Sequence, residues 1–355
     1  MSPPDRLFAA RVLREECSVA GFAGFGIARA QSPPRFDRFR EWIAEGRHAG
    51  MRYLEETLPV RESPESLLPG ARSIVCLSFP YPREPRIAAD DSRFARYSTG
   101  DADYHGTLRA RALSAAESAR RRLPGDWSYR VCVDSTPLAE RAFAAAAGIG
   151  WIGKNGCLLD ARHGSYLLLA EIVTDLDLPP DAPVAEQCGA CTRCLDACPT
   201  QAFVEPGLLD AARCLAYWTI EHRGPIPDRW KEALGEHVFG CDLCQEVCPW
   251  NGYGNGSSKL LASFAAGDLH PHSHPPPPTR AEILAMGKGA WRRRFGKSAV
   301  NRAARRGLQR NAAASAGACR DDSCRGALGA AAQVTEPGLR DAARWALERL
   351  ERVPV

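Results

Sequence analysis

Up to about residue 185 the chain alternates between two spacings of hydrophobic residues. Short runs rich in β-branched and apolar residues predict strands: RSIVCLSF (72–79), YRVCVD (129–134) and YLLLAEIVTDLDL (166–178). Between them, RFDRFREWIAEGR (35–47) and LRARALSAAESARRRL (108–123) repeat their apolar residues at helical spacing. We therefore predict an α/β or α+β domain over residues 1–185.

Beyond residue 185 the pattern changes twice. Residues 186–255 are rich in loops, with one helix predicted for DAARCLAYWTIE (210–221). Residues 256–280 form a predicted linker that includes the proline-rich segment HPHSHPPPPT (270–279). Its His270, His272 and His274 alternate as metal ligands can, but we predict that they are ordinary linker residues. Residues 281–355 carry four helical segments, the last with Pro337 in its first turn, and predict stacked helical hairpins. The whole is an α+β multidomain protein.

Length and composition bound the possibilities further. A chain of 355 residues exceeds what one core usually organises, so two or three domains are expected. No apolar run approaches the roughly 20 residues of a membrane helix, and the first residues contain no hydrophobic signal core. We expect no membrane association and a cytoplasmic location.

The net charge of +4 is small but unevenly placed. No Asp or Glu occurs from Ile283 to Arg320, a stretch that contains ten basic residues. Such an excess predicts contact with a polyanion, and a solvated basic helix face is the alternative. The candidate contacts are Arg292, Arg293, Arg294, Lys297, Arg302, Arg305, Arg306 and Arg310.

Eight of the 14 cysteines lie between Cys188 and Cys248. In a long chain without export features, such clustering indicates metal rather than disulfides. The other six are expected to be small buried hydrophobic residues: Cys17, Cys76, Cys132, Cys157, Cys319 and Cys324.

The clustered cysteines follow the bacterial ferredoxin pattern. CGACTRCLDACP has the spacing C-x2-C-x2-C-x3-C-P, in which the fourth cysteine binds the other cluster of a pair, and CDLCQEVCP repeats part of it. One 4Fe-4S cluster would then be bound by Cys188, Cys191, Cys194 and Cys248, and the second by Cys198, Cys214, Cys241 and Cys244. Two four-thiolate zinc sites would not explain the third cysteine or the two Cys-Pro endings.

The segment 131–178 holds the candidate acid. A strand is predicted to end at Asp134, with a helix capped by Ser135 or Thr136, beginning at Pro137 and ending at Gly148. An aspartate after an apolar strand is expected to have a raised pKa, which suits a proton donor; helix capping is an equal alternative.

The glycines that follow do not predict a dinucleotide site. Gly148, Gly150 and Gly153 fit G-x-G-x-x-G, but they close a helix instead of opening one. We expect instead a turn that presents Lys154 and Asn155 to a large ligand.

Taken together, several segments resemble the epoxyqueuosine reductases, cobalamin-dependent iron-sulfur enzymes of tRNA modification. They are LLPGARSIVCL, VDSTPLAERAFAAAAGIGWIGKN, GSYLLLAEIVTDLDL, RCLAYWTIEHRGPIP, GCDLCQEVCPWN and RNAAASAG, which span nearly the whole chain. The resemblance implies a nitroreductase-like cobalamin-binding domain, a ferredoxin-like double 4Fe-4S module and a HEAT-like helical domain. It also implies reduction of epoxyqueuosine to queuosine at the wobble position of a tRNA anticodon.

The resemblance places Asp134 at the proposed proton donor of the family and the eight cysteines at its cluster ligands. It places Arg61, Lys154, Asn155 and Ser165 beside cobalamin, which would cycle between cob(II)alamin and cob(I)alamin. Leu108 stands where D-x-H-x-x-G requires glycine, so His105 is not predicted to be a lower cobalt ligand. The partners expected are tRNA and a flavodoxin- or ferredoxin-type one-electron donor, with the enzyme acting as a monomer.

Two other functions account for parts of the sequence. A reductive dehalogenase-like cobalamin enzyme acting on small molecules usually has a twin-arginine export signal, which the N-terminus lacks. A ferredoxin-type carrier without catalysis does not account for residues 1–185. RYSTGDADYHG is one residue longer than the usual family segment and RNAAASAG ends differently, which affects loop geometry and tRNA contacts more than the chemistry.

Overall fold

The computed structural model describes residues 3–82, 84–98, 103–252 and 276–352. Most of the predicted linker, including His270, His272 and His274, lies outside the described residues.

The helices and strands alternate through the first half of the chain, and helices dominate the end. The helices are α1 (Pro3–Val19), α2 (Phe36–Ala44), α3 (Arg52–Glu56), α4 (Leu58–Glu62), α5 (Tyr104–Arg122), α6 (Glu140–Ala146), α7 (Arg193–Asp196), α8 (Asp228–Leu234), α9 (Leu243–Glu246), α10 (Pro249–Gly252), α11 (Arg280–Ala285), α12 (Lys288–Phe295), α13 (Ala304–Ala318), α14 (Arg325–Ala331) and α15 (Pro337–Glu351). The strands are β1 (Gly24–Arg29), β2 (Ser73–Pro80), β3 (Arg86–Ile87), β4 (Arg93–Phe94), β5 (Tyr129–Cys132), β6 (Trp151–Ile152), β7 (Leu158–Leu159), β8 (Leu167–Thr174), β9 (Phe203–Glu205), β10 (Leu208–Leu209) and β11 (His237–Phe239).

A four-stranded antiparallel sheet organises the N-terminal part. Its strand order is β1-β2-β8-β5, and the three predicted strands form its centre and one edge. Because side chains alternate across a strand, Val75 and Leu77 of β2 face the layer of α1 and α5, whereas Ile74 and Cys76 face α6. Both faces of the sheet are therefore covered by helices, and the protein is α+β.

The helix after β5 begins later than the sequence predicts. Asp134 has φ 38°, in the left-handed region, and Leu138 N–H donates to the carbonyl of Thr136. This turn delays α6 to Glu140 and places Ala139 at its N-cap position, where no side chain caps it. Neither Ser135 nor Thr136 is a cap, so that part of the prediction is wrong.

The C-terminal helices are confirmed with shorter bounds. The first segment breaks at Met286 and Gly287, and the second begins as a 3-10 turn before α13. In α15, Pro337 occupies the first turn and Leu339 and Ala343 are buried, as their helical spacing predicts. No helix in the described parts of the chain is long and apolar enough to cross a membrane.

The cluster region and the C-terminal helices share one hydrophobic core. Trp218 and Val238 belong to the same buried cluster as Leu308 of α13 and Leu339 of α15. A second link is the parallel pairing of β11 with β4, which extends a small sheet, β3-β4-β11, across both parts of the chain.

Arg310 stabilises this shared core. It is 2% exposed, and its guanidinium donates to the backbone carbonyls of Trp218, His222 and Gly224. Those carbonyls lie in the cluster region, so the arginine ties α13 to it.

We expect Arg310→Met to destabilise the protein, because one buried and two partly buried carbonyls lose their donor. An orphaned buried polar group costs about 1–3 kcal/mol, so the free energy of unfolding should fall by at least about 2 kcal/mol. The measurement is anaerobic chemical denaturation, with Arg293→Met as the control, since Arg293 is exposed. Equal stability of the two variants would contradict the role of Arg310.

Candidate active site and iron-sulfur module

The folded chain brings thiols of the two cysteine runs close to one another. Burial, and then the charges of Cys248, Cys188 and Cys191, raise the pKa of the Cys194 thiol. Burial raises the pKa of Cys241 to about 12, with Cys214 and Cys198 among the contributing charges. Burial, and then the charges of Cys157, Cys241 and Cys214, raise the pKa of Cys244. The division of the eight thiolates between two clusters stays a prediction from their spacing.

The local backbone conformation orients these thiols. α7 and α9, the short helices inside the two cysteine runs, pack against each other. The predicted helix 210–221 is instead a 3-10 turn, an extended Cys214 with ψ 127°, and a π-helical turn over Tyr217–Glu221. The break at Cys214 turns its thiol out of the helical path.

Among residues 3–82, 84–98, 103–252 and 276–352, no group of three His, Cys, Asp or Glu side chains is placed to hold a single metal ion.

Cys157 lies beside both thiol sets. Burial raises its pKa to about 11, and Cys248 and Cys194 of one set and Cys244 of the other are among its charged neighbours. The sequence predicted only a small buried residue here, and its exposure is in fact intermediate. Cys17, Cys76, Cys132 and Cys324 are buried as predicted, whereas Cys319 is exposed, so that prediction is wrong.

Arg96 holds the second cysteine run against the N-terminal part. Its backbone N–H donates to Asp242 Oδ2 over 2.7 Å, and its guanidinium donates to Glu246 Oε1 over 2.6 Å. Arg96 and Asp242 are both buried. Since Asp242 and Glu246 alternate with Cys241, Cys244 and Cys248, this pairing fixes the position of the second cysteine run against the N-terminal part.

Asp134 forms a hydrogen-bonded chain with His105. The Asp134 carboxylate lies 2.7 Å from Nε2 of His105, whose Nδ1 contacts Asp103. Tyr104 stacks on the His105 ring at 4.1 Å between centroids and also bonds to Asp134. The Asp134 side chain is 57% exposed, so the hydrogen-bonded series Asp103–His105–Asp134 ends at the solvent.

The expected raised pKa of Asp134 is wrong. Partial burial acts to raise the pKa, but the hydrogen bond and charge of His105 outweigh it and lower the pKa of Asp134. Burial also opposes the charge on His105, yet Asp103 and Asp134 raise the pKa of His105 to about 9. At neutral pH the shared proton therefore rests on His105, and the pair acts as one acid. The Asp-Tyr-His sequence at the start of α5 is the feature from which a histidine partner for Asp134 could have been predicted.

Three parts of the chain meet at the rim of this site. Arg302 forms a bidentate ion pair with Glu221 and lies over the ring of Tyr53, 5.4 Å from its centroid. Its charge also contributes to lowering the pKa of Asp134. Nothing in the sequence linked Tyr53 and Glu221 to the site.

The predicted cobalamin residues lie mostly where the N-terminal part meets the cluster module. Lys154 Nζ donates to the Gly189 carbonyl, Asn155 donates to the Cys244 carbonyl, and Ser165 is buried and bonded to Gln245. Arg61 instead lies near Asp134, where it donates to the Leu138 carbonyl.

The basic residues of the C-terminal part do not all face solvent. Arg292, Arg293, Lys297 and Arg302 are exposed, and Arg294, Arg305 and Arg306 are half-buried. Arg310 is buried and its guanidinium is committed to backbone carbonyls, so its prediction as a nucleic-acid contact is wrong.

A double-cluster module beside a solvent-open acid pair defines an iron-sulfur oxidoreductase. Residues 187–251 match the model "4Fe-4S double cluster binding domain", and residues 61–135 match "Epoxyqueuosine reductase QueG, DUF1730". The chain belongs to the epoxyqueuosine reductase family, as its relatives show.

Relatives named epoxyqueuosine reductase cover most of the chain. The Xanthomonas campestris protein is 42% identical over 71% of this chain and 72% of its own length. The Gloeobacter violaceus protein is 38% identical over 87% of this chain and 96% of its own. A crystal structure of epoxyqueuosine reductase with an epoxyqueuosine-modified tRNA-Tyr stem loop superposes with a TM-score of 0.84, at 30% identity over 96% of this chain and 90% of that one. A Bacillus subtilis structure, described with its Asp134 catalytic loop swung out of the active site, gives 0.85 at 29% identity and the same coverage.

We expect Cys214→Ser to remove one cluster and about half of the iron, because each predicted cluster has four thiolate ligands and none of the eight is spare. Iron content and the visible absorbance of anaerobically reconstituted protein measure this. Cys319→Ser, at an exposed cysteine outside both sets, should retain all the iron. Full iron content in Cys214→Ser would remove Cys214 from the ligand set.

Proposed function

We propose that this chain reduces epoxyqueuosine to queuosine at the wobble position of a tRNA anticodon. The observation that carries the proposal is the position of the Asp134–His105 acid pair, open to solvent, at a rim built by the N-terminal part, the cluster region and the C-terminal helices. Such a site can receive electrons from the clusters, protons from its own side chains and a nucleotide from solvent.

Cobalamin is the cofactor that we infer for this site. Arg61 is a half-buried cation beside the exposed Asp134, and Lys154 is a cation at the contact with the cluster module. Asn155 and Ser165 add hydrogen-bonding groups at that contact. Cations suit the phosphate of a corrinoid's nucleotide tail, and polar side chains suit its amides. The donor set therefore fits such a group, and Arg61, Lys154, Asn155 and Ser165 would help to hold it.

In this arrangement the cofactors supply electrons and the side chains supply protons. When bound, cobalamin would supply the reducing equivalents at the epoxide, and two 4Fe-4S clusters would be its source of single electrons. Asp134, resupplied by His105, protonates the epoxide oxygen as its bond to carbon breaks. Tyr104 and Asp103 hold the pair in register.

We infer that the tRNA is held by the exposed basic residues of the C-terminal helices. Arg292, Arg293 and Lys297 are exposed and can meet phosphates, and Arg302 lies at the rim beside Tyr53. An anticodon loop is already single-stranded, so little unpairing is needed to present its wobble nucleotide.

Several features of organisation are part of the same proposal. We infer a nitroreductase-like domain over 1–185, a ferredoxin-like module over 186–255, a linker over 256–280 and a HEAT-like domain over 281–355. We also infer a cytoplasmic monomer that receives electrons from a flavodoxin- or ferredoxin-type donor.

We expect Asp134→Asn to lower turnover by roughly 10²- to 10⁴-fold, since the amide keeps the shape but cannot pass the proton of His105 to the substrate. The assay is anaerobic conversion of an epoxyqueuosine-containing stem loop, followed by mass analysis of its nucleosides. Cluster absorbance and cobalamin uptake should be unchanged, and Asp126→Asn, at an exposed aspartate, should behave as the parent. A parental rate in Asp134→Asn would exclude the carboxyl from the reaction.

Replacing Arg292 and Arg293 with Gln should weaken stem-loop binding. It should also reduce the dependence of log Kd on log salt concentration by about one unit for each phosphate that the protein no longer neutralises. Fluorescence anisotropy at several salt concentrations measures both effects. Arg11→Gln removes an exposed positive charge from α1 and serves as the control. An unchanged salt dependence in the double variant would place the tRNA elsewhere.

A further inference from the structure

The proposed reaction consumes two protons at each turnover. Conversion of an epoxide to an alkene breaks two carbon–oxygen bonds and releases water, so epoxide, two electrons and two protons give alkene and water. The clusters carry electrons only. The Asp134–His105 pair shares one proton at neutral pH, so the second must be resupplied within the same turnover.

A second acid lies directly beneath the Asp134 turn. Glu140, the first residue of α6, accepts a hydrogen bond from the backbone N–H of Asp134. One of its carboxyl oxygens, Oε1, is buried and has no partner in the described chain. α6 packs across β1, β2 and β8, so this carboxyl lies between the catalytic turn and the sheet.

A third carboxyl lies below it in the sheet. Glu171 of β8 is opposite Cys76 on one neighbouring strand and Cys132 on the other, and both of its oxygens are buried without partners in the described chain. An ionised carboxylate in such a layer would lack the hydrogen bonds that stabilise its charge. Burial, and then the charges of Glu140 and Asp134, raise the pKa of Glu171 well above its ordinary value.

Charged and titratable groups surround Glu140 on each element that packs against it. Asp134 and Glu171 carry or can carry negative charge, Arg61 of α4 and Arg141 of α6 are positive, and Tyr104, Cys76 and Cys132 are neutral at pH 7. Burial and then Asp134 prevail over the two arginines and raise the pKa of Glu140 to about 8. At neutral pH Glu140 therefore holds a proton while the carboxylate of Asp134 is ionised.

We propose that Glu140 is the proton reserve of the active site, which reprotonates the Asp134–His105 pair between the two protonation events of one turnover. The first proton passes from the pair to the epoxide oxygen as the first carbon–oxygen bond breaks, which leaves His105 neutral and Asp134 ionised. Glu140 then gives its proton through Asp134 to the pair, where it rests on His105. The pair protonates the departing hydroxyl as water when the second bond breaks. Solvent reprotonates both acids afterwards. Glu140 acts through Asp134 and does not touch the substrate, and its role rests on the proposed function.

The first test asks whether Glu140 holds a proton, without reference to turnover. The infrared carbonyl stretch of a protonated carboxylic acid is followed as the pH of anaerobic reconstituted protein is raised. We expect a component that titrates near pH 8 and is missing in Glu140→Gln, whereas Glu41→Gln, at an exposed glutamate, retains it. Absence of that component from the parent protein at pH 7 would overturn the proposal.

The second test asks whether the proton is used. Because Glu140 loses its proton above its pKa, the parental rate should fall as pH rises above about 8. In Glu140→Gln the rate at pH 7 should drop at least roughly tenfold, and the fall should move towards the pKa of His105, about 9. Glu140→Asp, which restores an acid, should recover part of the rate and the limb near pH 8.

The outcomes separate this inference from the proposed function. Parental turnover of the stem loop with an unchanged pH profile in Glu140→Gln would overturn the proton reserve alone. No conversion by the parent protein, with clusters and cobalamin loaded, would overturn the proposed function and the reserve together. Binding of the stem loop by Glu140→Gln, measured by anisotropy, should equal that of the parent, which excludes a general loss of structure.

Discussion

The burial of Arg96 between the two halves of the molecule is the interaction on which the site depends. Its side chain and backbone N–H engage Asp242 and Glu246, the acidic residues interleaved with the second cysteine run. A buried charge without its partners is costly, so this pairing strongly favours one position of the cluster module. The next residue, Tyr97, packs on Tyr104, which stacks on His105. The electron path and the acid pair are thus positioned by adjacent residues.

In this arrangement electrons and protons reach the active site from different sides. The thiolate sets lie on the side of the site formed by the cluster module, and the carboxyls lie between the sheet and α5 or α6. Electrons cross protein readily over distances that protons do not, so the acids must be close to the substrate whereas the clusters need only be near. Asp134, in a strained left-handed turn, is the residue at which the proton side opens to solvent.

The sequence was most informative where spacing has a direct geometric meaning. The two cysteine runs predicted the double-cluster domain that residues 187–251 match, and the period of Leu339 and Ala343 predicted the buried face of α15. It was least informative where a property depends on a distant neighbour. The pKa of Asp134 is decided by His105, 29 residues earlier in the chain, and a run of arginines does not reveal that Arg310 points inward while Arg293 points outward. The continuous helix predicted around Cys214 is wrong, because the backbone is extended at Cys214 between a 3-10 turn and a π-helical turn.

The parallel pairing of β11 with β4 makes the cysteine-rich region inseparable from its host. Independent ferredoxins can be exchanged between proteins as whole modules, but here one strand of the module completes a sheet begun about 140 residues earlier in the chain, counted from β4 to β11. Recombination that replaced only the cysteine segment would leave Arg93 and Phe94 as an unpaired edge and open the core that Trp218 shares with α13. Exchange of this region between lineages is therefore expected to require the whole chain.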